Sequence, residues 1–213
     1  LVELVLEPAG RRRLRYDAGQ FVYMAPFDRR LSAGYGEEHP YTLSSSPDED
    51  GLRIAIKDLG DASRALQSIQ PGSRVTIEGP YGRFFPDRAA EKQLWIAGGI
   101  GITPFLGRAR WLHGRQRRCD VRLVYCVQDE ARARFLDELH AIAEEIDDFK
   151  VIPHFFYRQG PLDSGFLDSC VPDLAEREAF ICGPPGLNSL ARRLLIGAGT
   201  GRKNIHIEEF ELL

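Results

Sequence analysis

No two of the four cysteines, at 119, 126, 170 and 182, stand in C-x-x-C spacing, so neither a zinc site nor an iron–sulfur cluster can be read from them, and no metal site is expected. Thiols without close neighbours fit a reducing compartment. No apolar run approaches the length of a membrane span, and no signal peptide opens the chain. Neither charge dominates. The net charge of −3 is shared almost evenly between the two halves, which are not basic enough to suggest a nucleic-acid partner. The short basic runs Arg11-Arg12-Arg13 and Arg115 to Arg118 read as solvated loops. Apolar residues are not scarce: 43% of 213 residues is enough for a sizeable core and argues against disorder. The chain starts at Leu1, directly inside an alternating apolar run, and reads as a fragment with further sequence upstream.

What is present falls into two rhythms. "VELVL", "QFVYMA", "PYTLSS", "LRIAIK" and "RVTIEG" are short runs rich in β-branched and aromatic residues, separated by turn signals such as "EPAG", "SPDEDG" and "QPGS". They predict an antiparallel barrel or sandwich, interrupted by one short helix, "SRALQSI", with Ser63 as its N-cap. After "GRFFPDRAAEK" strands and helices alternate. "QLWIAGG", "VRLVYCV", "KVIPHFFY", "AFICG" and "NIHIEEF" predict strands, while "TPFLGRARWLHG", "ARARFLDELHAIAEEI" and "GLNSLARRLLIGAG" predict helices. That alternation predicts a parallel sheet with helices on both faces. The expected fold class is therefore β plus α/β, with an antiparallel β-barrel domain over 1–88 and a parallel-sheet nucleotide-binding domain over 89–213.

Three stretches carry chemistry. In "WIAGGIGITPFL" a strand runs into Gly98-Gly99-Ile100-Gly101, and a helix is expected to start with Thr103 as cap and Pro104 at its first position. The N–H groups at such a start attract a phosphate, although the same turn can serve packing alone. In "FICGPPGL" a strand ends at Cys182-Gly183 and Pro184-Pro185 opens another helix. Ligands of open parallel sheets bind at strand C-termini, so these two loops could line one crevice; Cys182 could equally be a small buried residue. In "IKDLGDASRAL" Lys57 and Gly60-Asp61-Ala62-Ser63 form a second candidate anion site, or an ordinary capped helix. Two such sites suggest two phosphate-bearing ligands or one long one. The run "HPYTLSSSP" sets Tyr41 beside short hydroxyl side chains, which suits a flat ring with a polar edge; alternation separates Tyr41 and Leu43 from Thr42 and Ser44 without saying which face meets the ligand.

Together "AGQFVYM", "HPYTLSS", "IKDLGDASRAL", "GPYGRF" with "IAGGIGITP", and "ICGPPG" resemble, in order, the motifs of the ferredoxin–NADP reductase superfamily, over essentially the whole chain. The His-Pro-aromatic-Thr version is similar to the ferric reductase and NADPH oxidase branch. The resemblance implies an oxidoreductase with FAD and NAD(P)H as cofactors. It implies that Tyr41 stacks on the isoalloxazine, that Thr42 bonds near its N5, and that His39, standing where soluble relatives carry Arg, approaches the flavin pyrophosphate, with Pro40 in the same motif. Ile56, Lys57, Gly60, Ala62 and Ser63 would hold the flavin and its phosphates. Gly98, Gly99, Gly101 and Thr103 would cradle the nicotinamide nucleotide. Cys182, with Gly183 and Pro184 beside it, would lie by the nicotinamide ring, and Phe210 would cover the flavin's other face. Thr42, Cys182 and Phe210 are the residues expected next to the chemistry.

Hydride transfer needs its two reacting atoms held about 3 to 3.5 Å apart rather than a strong acid or base, and the flavin supplies the redox chemistry. For the coenzyme, Arg158 in "FYRQG" stands where a 2′-phosphate arginine would, which leans the reading to NADPH, while Asp129 would repel that phosphate. Three readings follow. Electrons go to the haem of a ferric reductase-like membrane part upstream; or a soluble reductase feeds an oxygenase, globin or iron–sulfur partner; or the fold persists as a regulatory nucleotide-binding module without flavin. The expected location is the cytoplasm, free or on the cytosolic face of a membrane protein. The polar segment "DRRLSAGYGEEH" reads as a surface loop.

Overall fold

A computed structural model describes residues 1–10, 13–86, 88–116 and 119–209. The first part consists of β1 (Val2–Leu6), β2 (Phe21–Pro26), β3 (His39–Thr42), β4 (Leu52–Ile56), α1 (Asp61–Leu66) and β5 (Val75–Tyr81). β1 pairs antiparallel with β4, and β2 lies antiparallel between β3 and β5. A bridge from Leu43 to Ile54 joins the two sheets. Alternation explains the pairing: Val22, Met24, Leu43, Ile54 and Ile56 point inward to one fully buried core, closed by Leu66 of α1 and by Tyr16. The Tyr16 hydroxyl is satisfied there by Ser45 Oγ at 2.6 Å and by the Ser46 carbonyl at 2.8 Å.

The second part follows as β6 (Lys92–Gly98), α2 (Thr103–Gly114), β7 (Asp120–Val127), α3 (Leu136–Glu145), β8 (Phe149–Phe155), α4 (Phe156–Gln159), α5 (Ser164–Cys170), β9 (Glu178–Cys182), α6 (Pro185–Gly197) and β10 (Ile205–Glu208). The sheet is parallel, in the order β10-β9-β6-β7-β8. The chain moves outward from β6 through β7 to β8, then returns to place β9 on the other side of β6. The reversal falls between β6 and β9. β6 is buried from Gln93 to Gly98, as a central strand covered on both faces must be. α2 and α3 pack on one face with Trp95, Phe105 and Phe180; α5 and α6 pack on the other with Ile96 and Ile181. Phe84 and Phe85, at the end of the first part, insert into the first of these cores.

The boundaries differ from the sequence reading at helix starts. α1 begins at Asp61, with Gly60 in the cap position. Ser63 is therefore inside the helix; its hydroxyl accepts from the Leu59 N–H at 2.8 Å and donates to the Gly60 carbonyl at 3.0 Å. Thr103 is not a cap either. Gly99–Ile102 already winds as a 3₁₀ turn that runs into α2, and Thr103 Oγ1 donates back to the Ile100 carbonyl at 3.0 Å. α3 starts at Leu136, after a left-handed Phe135, and α5 had no counterpart in the periodicity.

At the opposite end of the sheet from these turns, Arg177 is 1% exposed and reaches Asp173, Asp120 and the Gln93 carbonyl. Its hydrogen bonds hold the Asp173 carboxyl down at about 2. An acid depressed in the folded state stabilises the fold above its ordinary pKa, and that stability is lost as pH falls from about 4 toward 2. Asp173→Asn is expected to cost about 2 kcal/mol at pH 7 and to flatten the decline in stability below pH 4, as read by urea unfolding at each pH.

Candidate functional site

One cleft of about 1120 Å³ runs between the first part and the C-terminal ends of the parallel strands. It is large against the roughly 300–1,000 Å³ of usual small-molecule pockets, as a dinucleotide requires. On one side it is lined by His39, Pro40, Tyr41 and Thr42 of β3, and by Lys57, Gly60, Ala62 and Ser63 around the start of α1. On the other it is lined by Gly98, Gly99, Gly101 and Thr103, and by Gly183 and Pro184. The three chemistry-bearing stretches of the sequence thus open on one space.

The face that the alternation left open is resolved at β3. Tyr41 lies opposite Val22 and leans on the barrel core, while Thr42 lies opposite Phe21; both still border the cleft because it meets the strand at its end. Burial pushes the Tyr41 hydroxyl up to about 12, so its ring stays neutral. His39 Nε2 is buried and has no hydrogen-bond partner; Glu37 Oε2 is 3.5 Å away, too far for a good one. A buried ring nitrogen left unpartnered at a cleft wall fits a ligand oxygen, such as that of a phosphate. Lys57 and Gly60 are exposed at the same wall, and a Cβ on Gly60 would meet nothing within 4 Å. These residues fit a flavin nucleotide.

The glycines across the cleft do a different job from the one their motif implies. A Cβ on Gly101 would stand 2.2 Å from the Cys182 carbonyl oxygen, and one on Gly98 would stand 2.6 Å from Leu187 Cδ2. Gly183 in turn faces the Gly98 α-carbon, 2.9 Å from where its own Cβ would be. The two strand-end loops press on each other at the point where the strand order reverses, the usual ligand crevice of such sheets. Of the glycines in these two loops, Gly99 combines open space with a left-handed φ of 54°.

Three expected site residues lie off the lining, and a fourth falls outside the described residues. Ile56 is 1% exposed in the barrel core; its neighbours Ala55 and Lys57 border the cleft instead, as a strand's alternation demands. Cys182 is fully buried on the face with Phe180, one residue short of the lining, and burial pushes its thiol well up. Arg158 is exposed off the lining, ion-paired with Glu130 and stacked 5.4 Å from the Phe155 ring centroid. Phe210 lies outside the described residues. In the segment 28–38 only Glu38 borders the cleft. Asp28 pins that loop, accepting from Arg30 Nε at 2.8 Å and from the Ser73 hydroxyl at 2.6 Å.

Residues 2–84 match the model of an FAD-binding domain, and residues 95–193 that of an oxidoreductase NAD-binding domain. The chain belongs to the ferredoxin–NADP reductase superfamily. The ferredoxin reductase component of 3-ketosteroid-9-alpha-monooxygenase from Mycolicibacterium smegmatis is 34% identical, over 94% of this chain and 57% of that protein. The cytochrome P450 reductase of Amycolatopsis superposes with a TM-score of 0.78 at 26% identity, over 98% of this chain and 68% of that one. The flavohem-like FAD/NAD-binding domain of nitric oxide dioxygenase from Vibrio cholerae shares the fold, with a TM-score of 0.84 at 22% identity, over 98% and 91%. The chain spans about half the length of the curated relatives it matches.

Within this superfamily fold, the sequence reading missed Tyr23, Gln128, His154 and Tyr157, which line the cleft. Tyr23 had a signal: in "FVYMA" it alternates with the core residues Val22 and Met24, leaving an aromatic ring on the outer face. His154 had none, because its burial comes from α5, whose Phe166 ring lies 4.7 Å away. Glu208, off the lining, pairs in register with Cys182, and burial raises its carboxyl pKa.

The close packing of the loops gives a test. Gly101→Ala is expected to cost about 3 kcal/mol through overpacking, and Gly60→Ala, at an open site with an extended backbone, less than about 0.5 kcal/mol; chemical denaturation of both variants checks the pair.

Proposed function

We propose that the chain is the flavin and nicotinamide-nucleotide portion of a reductase that takes hydride from NAD(P)H onto FAD and passes single electrons to an oxygenase, P450 or globin partner. The observation that carries the reading is the shared cleft, lined at once by Tyr41 and Thr42 and by the two loops at the strand reversal. The two domain matches support it. We set the boundary between the domains near Arg88, just after the Phe84–Phe85 pair that packs into the second core.

When bound, FAD supplies the conversion between two-electron and one-electron steps. The chain's own residues bind, orient and exclude water. Tyr41 offers a flat, neutral face. Thr42, 7% exposed, offers a hydroxyl at a fixed place. His39 offers an unpartnered nitrogen and Lys57 a positive charge to phosphate oxygens. Gly99, Thr103, Gly183 and Pro184 shape the nucleotide's side of the cleft. Cys182 acts from behind the lining, through its backbone against Gly101, rather than by touching a ligand.

The sequence His-Pro-Tyr-Thr favours a second reading, in which electrons pass to the haem of a ferric reductase-like membrane part. Among the described residues no helix is long and apolar enough to cross a membrane. Apolar spans with paired histidines in the encoded sequence upstream of Leu1 would select this second reading. In either case the cleft works in the cytoplasm, free or at a membrane's cytosolic face. For coenzyme choice, NADPH would draw on Arg158, whose guanidinium Glu130 already holds.

Purified chain given FAD is expected to show flavin absorbance that bleaches on anaerobic addition of NADPH or NADH; a colourless protein would instead support the flavin-free module. Tyr41→Ala is expected to weaken FAD binding about tenfold through lost stacking, measured by fluorescence titration. Glu130→Gln is expected to raise the NADPH to NADH ratio of kcat/KM about threefold by freeing Arg158, at about 0.7 kcal/mol for a surface charge pair; an unchanged ratio would remove Arg158 from coenzyme recognition.

A further inference from the structure

A different group of residues joins the two halves of the fold behind the cleft. Arg110, in the third turn of α2, is 9% exposed although fully charged. Its Nη1 donates to Glu3 Oε1 at 2.9 Å and to the Ser44 carbonyl at 2.8 Å, both in the barrel. Its Nε and Nη2 donate to the two carboxylate oxygens of Glu138 on α3 at 2.6 and 2.8 Å. Glu3 also accepts from the Ser44 hydroxyl at 2.8 Å. Burial alone would push the Glu3 carboxyl up, but the hydrogen bonds and charge of Arg110 outweigh it and hold it below its ordinary range. Three residues before Arg110, a Cβ on Gly107 would stand 2.9 Å from the Leu43 carbonyl oxygen and 3.0 Å from that of Ser45, so the helix backbone itself lies against this segment.

The location is what matters. Ser44 lies two residues beyond Thr42, the last residue of the strand that borders the flavin side of the cleft. α2 begins at Thr103, directly after the glycine turn that borders the nucleotide side. One planar guanidinium therefore joins a segment two residues beyond the flavin strand to the helix that begins at the nucleotide turn. A buried ion pair of this kind adds little net stability over apolar packing, but its fork has fixed directions.

We propose that Arg110 is a positioning residue: by tying the Ser44 backbone and Glu3 to α2, it sets the separation between the flavin strand and the nucleotide turn at which hydride passes. This rests on the hydride-transfer reading above. Arg110 touches neither lining of the cleft, so it should act on the rate of transfer and not on the binding of either nucleotide.

The test uses the full chain loaded with FAD. Arg110→Lys keeps the charge and loses the fork; Glu3→Gln removes the charged partner across the seam. In both, stopped-flow flavin reduction at saturating coenzyme is expected to slow at least tenfold, with FAD stoichiometry and coenzyme Kd within twofold of wild type. Glu138→Gln leaves both contacts across the seam and is expected to keep at least a third of the rate. Amide hydrogen exchange over residues 43–46, measured without coenzyme, is expected to quicken in the first two variants and not in the third. Reduction within twofold of wild type in Arg110→Lys and Glu3→Gln, or equal slowing in Glu138→Gln, would overturn the proposal. If Arg110→Lys does not fold, Glu3→Gln against Glu138→Gln decides it alone. A wild-type flavin that neither coenzyme reduces would overturn the hydride reading instead, while the exchange data would still show whether Arg110 couples the two segments.

Discussion

The backbone contact between Gly101 and Cys182 is the constraint on which the cleft depends. β6 and β9 are parallel neighbours from which the chain goes on to opposite sides of the sheet, so their end loops lie side by side and meet with no room for a side chain: the Cys182 carbonyl lies where a Gly101 Cβ would be. Because the loops press together below, their upper edges, Gly99 and Pro184, stand open above the sheet. β6 and β9 are buried over all but their first residues, so the floor rests on the sheet's core.

The first connection between the barrel and that floor is α2. This helix is buried nearly all round, with Phe105 and Leu106 in the sheet's core, Gly107 against the barrel backbone and Arg110 reaching across the seam. A helix covered on all sides is a core element rather than a surface one, and here it is core to two domains at once. Its polar inner residue is fully partnered, which is the condition under which a buried charge is tolerable. The aromatic pair Phe84–Phe85 makes the second connection, carrying the end of the barrel under Trp95, Phe105 and Phe180. Neither connection uses a residue of the cleft lining.

Which side chains face a ligand was decided less evenly than the motifs suggest. Most of the glycine motif is used for packing and only Gly99 has the open, left-handed geometry associated with ligand approach. Cys182 and Ile56 sit inside cores, one residue from the cleft, because strand alternation sends them inward. Arg158 is neutralised by Glu130, a residue 28 positions earlier that no local pattern connects to it. On the barrel side Tyr41, Thr42, Lys57 and Gly60 do border the cleft, since they stand at a strand end or at a helix start, where neighbouring elements no longer cover them.

The sequence by itself determined the strand runs, the parallel alternation of the second half and the three stretches that meet at the cleft, because periodicity and turn residues are local properties that survive without the fold. Helix starts were less legible: Ser63 and Thr103 carry cap chemistry, but the preceding glycines began each helix earlier. Only the tertiary structure decided which loop glycines touch each other, how deep His154 lies and that Arg110 binds Glu3, 107 residues away in the chain. Those are contacts between elements whose separation in sequence is arbitrary, and their geometry comes from how whole sheets and helices pack, which no window along the chain contains.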